Sequence, residues 1–379
     1  MTPFEGLPFF LLLTVLLAGA AVLGLCRVSL RWYGLGVTLL MALAVFRTPK
    51  DLAMLAGFWL WETAAVYGYL AVRKKCAKRP LLWLFLLLGC VPLLTVKFSG
   101  LIPALRFFRL LGVSYMTFRT VQVLLEIYDG QISRLHPGMF TYFLLFFPSL
   151  SSGPIDRYRR FCKDFESVPE RETYIGLLKS GVWQLMTGAL LNFVLGGLVW
   201  RKWLAPLPET GFFPTLSYMY GYTLFLYFNF AGYSRMAVGA SNILGVRVPE
   251  NFHLPFLSRD MKDFWSRWHI SLSTWLRDYV YTRFVAASLR GEWFRDKRTG
   301  SYIGYFLTMM TMGLWHGLTP AYILYGVYHG ALLCVNDLLD TRCKKYKKIR
   351  KKPAFEVLSV LVTFHLFAFG LLIFSGRIV

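Results

Sequence analysis

PFFLLLTVLLAGAAVLGL, residues Pro8–Leu25, contains no ionisable side chain. A helix of about 20 apolar residues matches the hydrocarbon thickness of a bilayer. Comparable runs follow along the whole chain at Trp32–Phe46, Leu52–Val72, Leu81–Val96 and Tyr174–Val199, and then at Leu216–Phe230, Tyr302–Leu318, Ala321–Leu338 and Phe355–Phe374. Leu101–Ile127 and Phe140–Leu150 are further candidates, and the first of these holds Arg106, Arg109 and Arg119. Arginines at membrane depth must face protein or water. The expected fold is therefore all-α and polytopic, with roughly 9–11 transmembrane helices plus interfacial or re-entrant helices. The first run reads as a retained span. Ala18-Gly19-Ala20 would suit a signal peptidase, but Glu5 precedes the run and no Lys or Arg does, whereas a cleavable signal has a basic start.

Composition agrees with this reading. Of the 379 residues, 56% are hydrophobic and 16% charged, and mean hydropathy is +0.48. The formal net charge is +22. In a soluble chain such a charge would point to nucleic acid. Here the excess gathers between spans, at Arg27/Arg31, Arg73–Arg79, Arg157–Lys163 and Arg342–Lys352, which is the positive-inside pattern. No nucleic-acid partner is expected, and the bilayer is the main surroundings. With those clusters in the cytoplasm, both termini and the Arg47–Asp51 loop lie outside. Cys26, Cys76, Cys90, Cys162, Cys334 and Cys343 are scattered without a CxxC pair. They read as small apolar filler, with neither a disulfide framework nor a zinc site implied.

No linker, low-complexity tract or repeat interrupts the chain. Residues 1–379 read as one membrane domain, with N-terminal spans in 1–130, a core in 140–338 and a last span in 353–379. The segment that departs from the apolar background is Val246–Arg298. It sets Arg259, Asp260, Lys262, Asp263, Arg267, Arg277 and Asp278 among Phe264, Trp265, Trp268, Trp275 and Tyr279. Mixed charge with interleaved tryptophan suits helices at, or dipping into, the membrane interface.

Six histidines are present. His136, before Pro137, reads as a surface residue, and His365 as a packed polar residue of the last span. His253 lies in a turn-like stretch where it could cap a helix. His329 reads equally as a support for a site or as helix packing. His269 stands among indoles and charges in WSRWHIS, and His316 within the apolar MGLWHGL. An imidazole at membrane depth is costly and marks a functional candidate. Gly313 and Gly317 would leave room beside it for a backbone or a substrate. Imidazole titrates near neutrality and can take a proton from an attacking hydroxyl. The chain has no HExxH metal motif and no GxSxG nucleophile elbow, so no metal site is expected. Ser151 and Ser152 read as turn residues.

The run NFHLPFLSRDMKDFWSRWHISLSTWLRDYVYTRF, Asn251–Phe284, resembles the signature block of the membrane-bound O-acyltransferase family, and MGLWHG, Met312–Gly317, resembles its second histidine motif. FPSLSSGPIDRYRRF, Phe147–Phe161, and GLWHGLTPAYILYGVYHG, Gly313–Gly330, are similar to the branch that transfers D-alanyl groups in lipoteichoic acid synthesis. The likeness covers the middle and C-terminal two-thirds, and the first hundred residues agree only as apolar spans. The resemblance implies a fold with a central tunnel, in the plasma membrane of a Gram-positive-type bacterium. It implies His316 as catalytic base, His269 as second histidine or polar partner, and Trp315, Trp268, Asn251 and His329 around the tunnel. It also implies a donor. An acidic cytoplasmic D-alanyl carrier protein would present the acyl group as a phosphopantetheine thioester, with no cofactor bound by this chain itself. An outer-face transfer protein of the same pathway and a small single-span membrane protein are the further partners implied. For carrier docking, Arg283, Phe284, Val285, Leu289 and Arg290 offer an apolar centre with a basic rim; a lipid-anchored interfacial helix is the plain reading of the same stretch. Two rival functions remain: an alginate-type polysaccharide O-acetyltransferase, which shares the RWHISLSTWLRDY-like block, and a transporter with a proton-relay histidine. The latter would call for interrupted spans in two related halves.

Overall fold

The computed structural model describes residues 1–350 and 352–379. Lys351, part of the Arg342–Lys352 cluster, lies outside the described residues. Among the described residues the secondary structure is helical, and the only β pairing is an isolated bridge between Phe252 and Trp268. The helices are α1 (Leu7–Leu25), α2 (Arg31–Val45), α3 (Pro49–Lys75), α4 (Arg79–Phe98), α5 (Val113–Tyr128), α6 (Pro137–Leu145), α7 (Tyr158–Glu166) and α8 (Arg171–Ala189). They continue with α9 (Phe212–Ile243), α10 (Met261–Arg267), α11 (Ile270–Leu276), α12 (Thr282–Arg290), α13 (Lys297–His316), α14 (Pro320–Arg342), α15 (Lys344–Ile349) and α16 (Pro353–Phe374). The protein is a polytopic all-α membrane protein.

Four helical segments combine the length and apolar character of a membrane span: Leu7–Leu25, Arg79–Phe98, Arg171–Leu204 and Pro353–Phe374. The third is α8 prolonged by π-helical turns. The other expected spans differ in their polar content or their length. α3 buries Glu62 and ends on Arg73, Lys74 and Lys75. The run Leu101–Ile127 is not one helix: a 3₁₀ turn at Pro103–Phe107 precedes α5, which starts after the left-handed Gly112. Phe140–Leu150 likewise divides into α6 and a 3₁₀ turn at Phe147–Ser149.

The chain divides into two compact units. Met1–Leu190 and Gly232–Pro249 form the first. Its centre is an aromatic cluster in which Tyr142 meets Phe146 and Phe161 at ring-centroid distances of 5.3 and 5.0 Å. Arg119 of α5 is buried beside this cluster. Its guanidinium donates to the carbonyls of Phe143 (2.9 Å), Leu144 (2.8 Å) and Ser149 (2.6 Å). The first two are carbonyls that the end of α6 leaves without helical partners, so the expectation that this arginine faces protein holds. In the GPIDRYRRF stretch, Asp156 accepts from the Arg157 amide (2.7 Å) and from Arg160. Asp164 then receives Arg160 (2.7 Å) and the Arg247 amide (2.8 Å). Burial pushes the Asp156 carboxyl up, against the pull of Arg160.

Leu191–Ala231 and Glu250–Val379 form the second unit. Its α13 and α14 pack through glycines. A Cβ on Gly313 would stand 2.4 Å from the Tyr322 carbonyl oxygen, and one on Gly326 would stand 2.8 Å from that of Met309. Small residues let two helix backbones approach this closely.

Candidate active site

Asn251 builds the site's frame. Its carbonyl accepts from the Ile270 amide at 3.0 Å. Its side-chain oxygen accepts from the Ser271 amide (3.2 Å) and hydroxyl (2.6 Å). These bonds satisfy donors at the start of α11, which its own helix cannot pair. The His253 amide donates to the Arg267 carbonyl at 3.0 Å, so residues 251–253 run beside the break between α10 and α11. His269 stands in that break with φ 45° and ψ 49°. A non-glycine residue in left-handed conformation is uncommon, and such strain gathers at functional positions.

The His269 side chain lies in the break, outside the spanning helices, and is 5% exposed. Its ring meets Phe230 at 4.6 Å and Trp315 at 6.4 Å. Burial, and then the neighbouring His316 imidazole, push its pKa down to about 3. The two candidate histidines are thus brought together, with Trp315 next to both: its ring lies 4.5 Å from that of His316.

His316 is placed differently from expectation. The expected span runs on to Leu318, but α13 ends at His316, which is half-buried, with extended Gly317 following. Phe374 (4.8 Å), Tyr322 (5.8 Å) and Tyr325 (6.4 Å) surround its ring. Of the two uses expected for the flanking glycines, close approach of a backbone is the one seen at Gly313. Gly313 meets the α14 backbone, and Gly317 lies against the Tyr322 ring.

His329 is fully buried, against Tyr325 (4.5 Å) and Trp265 (5.2 Å). Tyr325, which sequence reasoning did not single out, therefore links His316 to His329. Its position one turn before His329 puts both on one helix face. Trp268 packs among Phe252, Phe264 and Phe367 and is 4% exposed, so it belongs to the packed core. Among the described residues, His269 Nδ1, both His329 nitrogens, Asn251 Nδ2 and Trp265 Nε1 are buried without a protein hydrogen-bond partner. Buried polar atoms of this kind call for water or a polar ligand.

The other histidines occupy less eventful places. His136 is exposed beside Trp32, and His253 is exposed. His365, expected to be packed, is exposed on α16, with Nδ1 2.7 Å from the Leu361 carbonyl oxygen. Glu62 escaped sequence reasoning altogether: it is fully buried in α3, near Gly89 and Thr120. A single acid inside an otherwise apolar run was the available signal.

In the expected docking stretch, Leu289 and Arg290 are exposed, together with Trp293. Phe284 packs on Trp293 (5.9 Å), and Arg283 stands over the Tyr279 ring (5.9 Å). Val285 departs from the others, because its side chain faces Gly304 of α13.

The chain is 38% identical over its full length to "Teichoic acid D-alanyltransferase" of Bacillus subtilis (strain 168), covering 98% of that protein. The protein of the same name from Lacticaseibacillus rhamnosus is 34% identical, over 99% of this chain and 97% of the relative. "Probable alginate O-acetylase AlgI" of Pseudomonas aeruginosa is 32% identical over 70% of this chain and 49% of its own length. The likeness to the first two takes in the N-terminal hundred residues, where motif reading finds only apolar spans. The model of the membrane-bound O-acyltransferase family matches residues 58–374, a stretch that contains both central histidines, and the chain is therefore a member of that acyltransferase family.

Proposed function

We propose that this protein transfers a D-alanyl group from the phosphopantetheine thioester of an acidic cytoplasmic carrier protein toward a teichoic acid hydroxyl. The observation that carries the reading is the pairing of His316 and His269 about Trp315, with His269 Nδ1 among the buried polar atoms that lack a protein partner. The full-length similarity to two D-alanyltransferases supports the choice of acyl group. In the reaction, His316 takes the proton of the acceptor hydroxyl as its oxygen attacks the thioester carbonyl. The C–S bond then breaks, and the thiolate leaves and is protonated. His269, neutral at physiological pH, orients rather than ionises. Trp315 and the aromatic rings about His316 keep bulk water from the thioester. The acyl donor is a substrate of this site rather than a resident cofactor. An outer-face transfer protein and a small single-span protein are candidates for the immediate acceptor.

Single-turnover reactions with D-alanyl-loaded and acetyl-loaded carriers, at matched protein levels, test the reading. The wild type should consume the D-alanyl donor. His316→Ala should fold and bind carrier yet transfer about 10²–10⁴-fold more slowly. His316→Gln should be no better, because an amide cannot accept the proton. Preferential consumption of the acetyl donor would favour the O-acetylation performed by the alginate relatives. A near-wild-type rate in His316→Ala would remove the base assignment and turn attention to His269.

A further inference from the structure

Within the second unit, α15 separates α14 from α16 and carries Lys344, Lys345, Lys347 and Lys348 on six residues. Lys344, Lys347 and Lys348 share one helix face at spacings of three and four. They line a cleft of about 830 Å³ with Arg259, Asp340, Arg350 and Glu356. The carboxylates of the cleft are already engaged. Asp340 holds Arg350, and Glu356 holds Arg259 at 2.8 Å. Arg350 also reaches Asp260 at 3.5 Å. Among the described residues no carboxylate pairs with the three lysines; Lys347 donates only to the Thr341 carbonyl, at 3.0 Å. Like charges three and four apart on one face oppose helix formation. Yet this short helix is held in place, with the Tyr346 ring 5.7 Å from that of Phe355. The arrangement has a surplus of positive charge that a bound anion would neutralise.

We infer that this cleft binds the headgroup of an anionic phospholipid. The cleft opens at the start of α16, a segment with the length and hydropathy of a membrane span. Directly after Glu356 of the cleft wall, apolar side chains turn outward: Val357 is 64% and Leu358 53% exposed. A ligand with a phosphate at one end and acyl chains at the other would suit a basic cleft at the start of an apolar span, whereas a soluble acidic protein approaching from water would meet only the lysines. Lysine ammonium groups suit a phosphate diester as mobile point charges. Basic residues at a membrane surface gain attraction to anionic lipid in this way.

The test uses the full-length protein purified in neutral detergent, with bound lipid counted by native mass spectrometry. The wild type should retain phosphatidylglycerol in preference to phosphatidylcholine. Lys344→Gln/Lys347→Gln/Lys348→Gln should lose about fivefold in affinity per lysine removed. The corresponding Lys→Arg triple variant should keep the preference and shows that loss is not due to misfolding. Retained preference in the Gln variant, or equal loss in the Arg variant, would overturn the proposal. So would stabilisation by inorganic phosphate alone equal to that by phosphatidylglycerol, which would assign the cleft to a free anion. Loss of carrier-protein capture in the Gln variant with lipid binding unchanged would reassign it to a protein.

Discussion

A single backbone conformation decides much about the site. The α10–α11 break turns His269 left-handed and directs its ring between Phe230 and Trp315. There it is held neutral, with its pKa lowered to about 3. The unfolded chain binds a proton on this imidazole below about pH 6.5, while the folded chain does not until far lower pH. The unfolded state therefore binds more protons, and stability falls as pH drops from about 6.5 toward 3. Wild-type thermal stability should lose more between pH 7 and pH 4.5 than that of His269→Gln, measured side by side in one detergent. Parallel curves would show that the ring is solvated or charged. The two central histidines were legible in the sequence because an imidazole among indoles or in an apolar run is conspicuous. Tyr325 was not, since one tyrosine of the 21 in the chain stands out only when α13 and α14 are packed together. The end position of His316 was also hidden. Hydropathy continues smoothly through Gly317 and Leu318, whereas the backbone leaves the helix at Gly317.

At the scale of elements, the α13–α14 pair sets the position of His316. A Cβ at Gly313 would collide with a backbone oxygen at 2.4 Å, and a backbone atom cannot rotate away. Gly313→Ala should cost about 1–3 kcal/mol and slow transfer by displacing His316. Gly57→Ala, with nothing within 4 Å of the added carbon, is the matched control. Equal melting temperatures for the two variants would show that the pair is loosely packed. The α12 stretch carries a second expectation. Leu289 is 46% exposed, while Val285 faces α13, so the docking proposal now rests on Leu289, Arg290 and Trp293. Leu289→Asp should weaken capture of the acidic carrier, and added salt should weaken wild-type capture as well. Carrier affinity unaffected by both would leave α12 as a lipid-anchored helix. The amphipathic composition of this stretch was legible; which residues point outward depends on the helix it packs against.

At the scale of the molecule, charge placement argues for an orientation. Lys and Arg near span ends favour the cytoplasm. The densest run, Lys344–Ile349 with its neighbours, sits between α14 and α16. With that run inside, α16 carries the C-terminus outward. At the other end, Arg27 and Arg31 separate α1 from α2, so the same rule puts the N-terminus outside. The two ends agree provided the middle of the chain contributes the matching crossing parity, and there the broken helices about α5, α6 and α10–α12 do not reveal their crossings by length alone. Single cysteines at positions 2 and 348 test the orientation with an impermeant thiol reagent on intact cells. The background must lack all six native thiols, because each is free and Cys343 lies close to position 348. Position 2 should label from outside and position 348 only after permeabilisation. Labelling of position 348 in intact cells would invert the C-terminal half, and with it the face from which a cytoplasmic carrier could reach α12.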